Sequence, residues 1–336
     1  MAWRQEAAAK ESKVTDTLWC WPGTDFAATL PHNFPAHPVI RGDSRLIVNR
    51  PHGLAILFRE SLPPLIILTL WDFVVVVLFQ IFHQDWMEQP ALPISLMGSA
   101  LAIFLSMRNN AAYNRWWEGR TLWGAITNNC RSFGREAATL LGGRPDLARA
   151  MAAYPHVLRA ALRGDPPNED TKRLLTPEMY EKVFSCSNTA NMLLYQIGLG
   201  VRDEVERKGI DGAVHGTVDR ILSDIANAQG GLERIKNTPL PAQYSLLPEI
   251  ATHLFCIILP LSAVQTLGWI TPLGSSIIGM LFQMLDRSGR DLQEPFTKSV
   301  HALPMLTMAR TIERDLLQPI GDLPPDPIQA IHGVQP

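Results

Sequence analysis

From residue 62 onward the chain alternates between stretches that suit hydrocarbon and stretches that suit water. Leu62–Phe82 (LPPLIILTLWDFVVVVLFQIF) holds one charge, Asp72, and is long enough to cross a bilayer as a helix. Leu92–Met107 carries no charge, and Ile250–Trp269 and the shorter Leu273–Leu285 follow later in the chain. A run as short as the last is more usual in a core helix, yet polar ends can extend it to complete a hairpin with its neighbour. The pattern predicts four spans in two hairpins. Between the hairpins the apolar positions fall at helical spacing. Trp116–Leu141, Leu147–Leu162, Asn191–Arg207 and Val214–Lys236 read as amphipathic helices, the last with Val218, Ile221, Leu222 and Ile225 on one face. GDPPN at 164–168 and NTPLP at 237–241 read as breaks. No strand alternation or repeat is visible. The first 45 residues and residues 317–336 read as loosely ordered tails.

The expected fold class is therefore all-α: a polytopic membrane protein with four transmembrane helices and a large cytosolic helical region. Its divisions are an N-terminal segment (1–48), a first hairpin (49–107), a helical domain (108–248), a second hairpin (249–286) and a C-terminal segment (287–336). Charge placement supports this without using hydropathy. No Lys or Arg lies between Glu60 and Met107, or between Glu249 and Asp286, so all 30 basic residues fall outside these two stretches. The positive-inside rule then puts both termini and the long middle in the cytoplasm, with Trp86 and Trp269 at the outer interface. A soluble protein with buried apolar helices is the competing reading, and this asymmetry counts against it.

Composition adds exclusions. Charged residues make up 18 % of the 336, below the roughly 25 % of a soluble domain. A net charge of −2 gives no footing for nucleic acid. Cys20, Cys130, Cys186 and Cys256 form no metal or redox motif and read as free thiols in a reducing compartment. MAWRQEAAAKESK has no apolar h-region, so no secretory signal is expected there. His156, His215 and His253 lack metal spacing, and no phosphate loop, dinucleotide motif or nucleophile elbow is present. Neither a cofactor nor an enzymatic activity is expected.

The stretch SMRNNAAYNRWWEGRTLWG, 106–124, continues the second apolar run with no Gly or Pro break at its start, so the helix is expected to leave the bilayer intact. Ser95, Ser99, Ala102 or Ile103, Ser106 and Asn110 share one side, with Leu96, Leu101, Phe104 and Leu105 opposite. Such a stripe serves either close helix packing or a water-filled path lined by several subunits. Asp72 is an intramembrane acid, either an ion or proton site or a hydrogen-bonded structural group, with His253 one candidate partner. Arg108 and Arg115 are expected to snorkel to headgroups or pair with acids such as Glu118, and Tyr113, Trp116 and Trp117 to anchor at the interface. Asp219, Asp224 and Glu233 would colour a cytosolic vestibule or form a solvated face.

Four stretches in order, FLSMRNNAAYNRWWEGRTLWG (104–124), GGLERIKNTPLP (230–241), GWITPLGSS (268–276) and DLQEPF (291–296), make the chain from about Arg50 to about Pro304 resemble the bacterial branch of the bestrophin channels. The resemblance implies a homopentamer around a central pore, in contact with membrane lipids and passing small monovalent ions across the inner membrane. Aligning Arg115, Trp116 and Trp117 with the family motif places a hydrophobic neck at Ser99, Ile103 and Met107. A cytosolic aperture is implied near Val214 or Thr217, and Asn109, Asn110 and Asn114 would offer polar groups at the pore mouth. Animal members line the neck with aromatics, whose electropositive edges favour anions. Ser, Ile and Met offer no such edge, so cation permeability is expected, with an anion channel of the same architecture or a non-conducting helical scaffold as alternatives. EPFTKSVHALPM (294–305) lacks the acidic run of the animal calcium clasp, so no metal site is expected.

Overall fold

The computed structural model describes residues 50–83, 91–299 and 301–329. Trp86, the N-terminal 1–48 segment and the last residues of the C-terminal tail lie outside them. The described residues form ten α-helices and no strand. These are α1 (Arg50–Gln80), α2 (Ala91–Thr139), α3 (Pro145–Arg163), α4 (Glu169–Leu174), α5 (Pro177–Phe184), α6 (Thr189–Lys208), α7 (Gly212–Asn237), α8 (Ala242–Leu267), α9 (Thr271–Gln293) and α10 (Met305–Leu317).

The helix boundaries follow local chemistry. Asn188 and Asp211 cap the starts of α6 and α7 through their side chains. Left-handed Gly164 and Gly209 end α3 and α6, where a side chain would meet strain. Helix α7 stops at Thr238, before Pro239 and Pro241. Helix α2 has no such stop signal between Met107 and Arg108, and its 49 residues run unbroken for about 74 Å at ~1.5 Å per residue.

Leu62–Gln80 and the α8–α9 stretch Ala242–Gln293 are long and apolar enough to cross a membrane. They expose Ile66, Ile67, Leu70, Ile250, Leu254, Ile277 and Leu281, apolar side chains that water would not favour as one continuous surface. The polar half buries a separate core. Trp123, Ile126 and Phe133 of α2 meet side chains of α3, α6, α7 and α10 there, among them Tyr154, Leu158, Ile197, Ile225 and Ile312. Helix α2 is the element common to both halves, packing on α8 and α9 above and on α7, α3 and α10 below.

The short fourth run is extended by a polar end, as expected, into a 23-residue helix that carries Asp286, Arg287, Arg290 and Asp291 within it. Other expectations need correction. On α2 the buried stripe is Ile94, Leu101, Leu105 and Ala112, whereas Leu96 and Phe104 are exposed. Helix α10 lies in the C-terminal segment just ahead of the expected tail, where no element is assigned from sequence, and buries Met305, Ala309, Ile312 and Leu316 at helical spacing. The tail after it is tied down as far as Pro325: Arg149 forks onto Asp322 at 2.6 and 2.9 Å, and Arg314 donates to the Pro325 carbonyl at 2.7 Å.

Helix α10 also brings a buried ion cluster to α3. Glu313 is fully buried, with Oε2 3.0 Å from His156 Nε2 and 2.9 Å from Arg310 Nη1, while Arg173 donates to Oε1. Burial pushes the Glu313 carboxyl up, but His156, Arg310 and Arg173 together outweigh it and hold the carboxyl below its usual range. A carboxyl lowered by folding contributes stability that is complete above its unfolded value of about 4.3. That contribution fades as pH falls through the lower folded value. Glu313→Gln is expected to cost about 3 kcal/mol at neutral pH and to flatten the acid limb of stability. Melting temperatures measured from neutral pH down through the carboxylate range check both effects.

Candidate functional site

One face of α2 packs inside the chain and the opposite face is left open along most of its length. Leu101, Leu105, Arg108, Ala112, Trp123, Ile126 and Cys130 are buried, each 3 % exposed or less, and recur every three, four, seven or eleven residues. Directly across the helix lie Ser99, Ile103 (62 % exposed) and Met107 (53 % exposed). Asn110, Asn114, Trp117 and Thr121 continue the same open strip into the polar half. The three expected neck residues are thus brought onto one uncovered, uncharged face. The Ser99 hydroxyl donates to the Ser95 carbonyl at 2.9 Å, so the strip's upper end presents a small side chain whose proton is already placed.

Other expected site residues separate from this face. Asn109 turns sideways, and its Nδ2 donates to the Leu285 carbonyl of α9 at 3.0 Å. Arg108 neither snorkels nor pairs with Glu118. It is fully buried with Nη1 2.6 Å from Asp286 Oδ1, and Glu118 pairs with Arg234 instead. Arg115 is likewise engaged internally: its Nε donates to the Gln293 carbonyl at 2.8 Å, and its two Nη atoms to the carbonyls of Ile235 and Thr238. It satisfies acceptors that the ends of α7 and α9 leave free. The Trp pair divides. Trp116 is half-buried and donates to the His301 carbonyl at 3.1 Å, while Trp117 is exposed and stacks with Tyr113 at 6.4 Å between ring centres.

On α7, Val214 is half-buried on the same side as Val218, whereas Thr217 is exposed, its hydroxyl bonded back to the Ala213 carbonyl at 3.0 Å. Asp219 and Asp224 face outward, and Glu233 is half-buried, accepting from Asn188 at 3.0 Å and Gln229 at 2.7 Å. The loop at 294–299 has a packing role. Phe296 is buried beside Gly119, and Lys298 lies 2.7 Å from Asp165, holding that carboxyl below its usual range.

Asp72 is 1 % exposed and accepts hydrogen bonds from Ser275 at 2.6 Å and Ser276 at 2.9 Å, both on α9. His253, the candidate partner, bonds instead to the Glu249 carbonyl of its own helix at 2.8 Å. The serines were visible in GWITPLGSS, but one sequence does not show which spans touch. Asp286 was missed for the same reason, although a signal existed. Arg108 and Asp286 are each the first charge after an apolar run, and on helices running in the same direction such charges finish at one depth.

A family profile described as bacterial/fungal bestrophin protein matches residues 55–318. A voltage-dependent anion channel-forming protein of Mesorhizobium japonicum is 31 % identical over 306 residues, covering 87 % of this chain and 98 % of that one. The voltage-dependent anion channel-forming protein YneE of Salmonella typhi is 37 % identical over 232 residues, 67 % of this chain and 75 % of its own. Among solved structures, a crystal structure of a bacterial bestrophin homologue from Klebsiella pneumoniae aligns with a TM-score of 0.74 at 31 % identity, covering 77 % of this chain and 98 % of that one.

Proposed function

This chain belongs to the bacterial and fungal bestrophin family, and from that premise we propose that it is a membrane ion channel assembled as a homopentamer. Each copy contributes α2 to a central path, with Ser99, Ile103 and Met107 forming the neck and Asn110 and Asn114 lying below it. Thr217, the exposed member of the α7 pair, is the better candidate for a second constriction. The subunit crosses the inner membrane four times with both termini in the cytoplasm, an orientation supported by the absence of Lys and Arg from 61–107 and 249–286.

The observation that carries the reading is the continuous open face of α2, opposite a fully packed one. An uncovered apolar strip inside a protein's own helical bundle calls for a partner surface, and copies of the same chain around an axis provide it.

The permeant ion is proposed to be a small anion. The names of the Mesorhizobium and Salmonella relatives support this over the cation preference expected from the neck chemistry. One observation favours the second reading, cation permeation: the neck strip carries neither a basic side chain nor an aromatic edge. Purified protein in a planar bilayer under a KCl gradient separates the two. A reversal potential near the chloride equilibrium value is expected, and a value near that of potassium would replace the anion reading with the cation one. Absence of current from protein shown to be pentameric would overturn conduction itself.

A further inference from the structure

We propose that Arg108 and Asp286 form a clamp that sets the rotation of α2, and hence which side chains meet the conduction path. This inference rests on the channel reading above. Arg108 follows Met107 directly but projects about 100° around the helix from it, toward α9. Its guanidinium lies 2.6 Å from Asp286 Oδ1 and also donates to the Asp286 backbone carbonyl. Both side chains are within 2 % of complete burial. The adjacent Asn109 fixes the same two turns by donating to Leu285. Arg115 repeats the contact on the Gln293 carbonyl, and both pairs, 108 with 286 and 115 with 293, are 178 residues apart. Helices α2 and α9 therefore run parallel in fixed register for two turns immediately below the neck.

The far side of Asp286 is anchored as well. Arg290 reaches Asp286 Oδ2 at 2.9 Å and Glu249 of α8 at 2.6 Å. Alternating charges thus connect α8, α9 and α2 at the level where the apolar runs end. Two well-packed apolar side chains would fill this site without the cost of drying two charges, so a stability argument alone does not account for the pair. What an apolar pair lacks is direction. The planar guanidinium meets a carboxylate and a carbonyl together in only one rotation of α2. A slip of one residue turns the helix by about 100° and replaces Ile103 on the axis with Ala102 or Phe104. Arg108 is on this account a positioning residue that touches no permeant ion.

The test uses cross-linking and needs no current. Single cysteines are placed at 102, 103 or 104 in full-length protein with Cys20 and Cys186 changed to serine, and treated with a short bifunctional methanethiosulfonate reagent. Copies with native Arg108 are expected to be joined through position 103. Arg108→Gln is expected to lose that cross-link and gain one at 102 or 104, and Arg108→Lys to restore part of the original pattern. Because an unpaired buried charge can prevent assembly, the doubly apolar variant Arg108→Met with Asp286→Leu is measured alongside. It is expected to form the oligomer yet still lose the preference for 103. An unchanged cross-link at 103 in assembled Arg108→Gln or in the double variant overturns the clamp. Failure of position 103 to cross-link in assembled protein with native Arg108 overturns the placement of the neck instead.

Discussion

Replacing Ile103 with glutamate is expected to abolish anion current and to draw the reversal potential of any remaining current toward the potassium value. Ile103 is 62 % exposed, on the open side of α2 and directly opposite the buried stripe. In the proposed homopentamer one substitution there would place five carboxylates around the proposed neck. Rings of charged side chains are a general device for choosing ion sign, because a partly dehydrated ion feels them with little screening. A change of about tenfold or more in the ratio of anion to cation permeability is expected, equivalent to ~1.4 kcal/mol. Ile103→Gln, similar in volume and neutral, separates charge from size and should leave the ratio near that of the native protein. Ile103→Lys should move the reversal potential the other way, so the pair brackets the native value whichever ion the neutral neck admits. A glutamate variant that conducts with unaltered reversal potential would remove Ile103 from the path.

That experiment depends on a face that hydrophobic periodicity only partly disclosed. The small and polar positions Ser95, Ser99, Ser106 and Asn110 marked one side of α2 from spacing alone, and the structure leaves that side open. The contrary side was misjudged, because Leu96 and Phe104 are as apolar as Leu101 and Leu105. In a membrane helix an apolar residue suits lipid and a neighbouring helix equally well, so hydropathy cannot divide the two. Arg108 resists sequence reading for a related reason. An arginine at the end of an apolar run has a common fate, snorkelling to headgroups, and its buried alternative depends on a partner 178 residues away. Long helices with clear punctuation were legible, as in α6 and α7, where polar caps and glycine or proline stops bracket the pattern. Helix α10 was legible in principle from Met305, Ala309, Ile312 and Leu316, but at 13 residues between Pro304 and Pro319 its period is too short to stand out from the segment around it. The Asp72 serines needed a tertiary contact between the first and last spans, which no local rule provides.

Gly289→Ala is expected to be the most damaging of the conservative changes in the membrane-proximal region. In an ordinary helix interior the substitution would gain about 1 kcal/mol, since alanine is the better helix former. Here a methyl group on Gly289 would lie 2.7 Å from Arg108 Nη2 and 2.8 Å from Nε, and would overlap Asn109 Oδ1. The guanidinium ends a long chain and elsewhere would swing aside. In this position it is enclosed, with Asp286 and the α9 carbonyl holding it. Displacing it separates a buried ion pair, at a cost of about 3–5 kcal/mol, and crowding adds about 1–3 kcal/mol. Set against the gain in helix propensity, a net loss of about 3 kcal/mol or more follows. It should be visible as a lower melting temperature and a smaller fraction of assembled oligomer. Asn109→Ala in the same chain removes only one of the two conflicts, so the double variant should remain destabilised. Arg108→Met with Asp286→Leu replaces the held guanidinium with a flexible thioether, and Gly289→Ala in that background with Asn109→Ala added, which removes both conflicts, should cost far less than in the native one. A Gly289→Ala protein as stable as the native chain would mean that Arg108 can leave Asp286 freely, and a pair that parts so easily could not fix the rotation of the second helix.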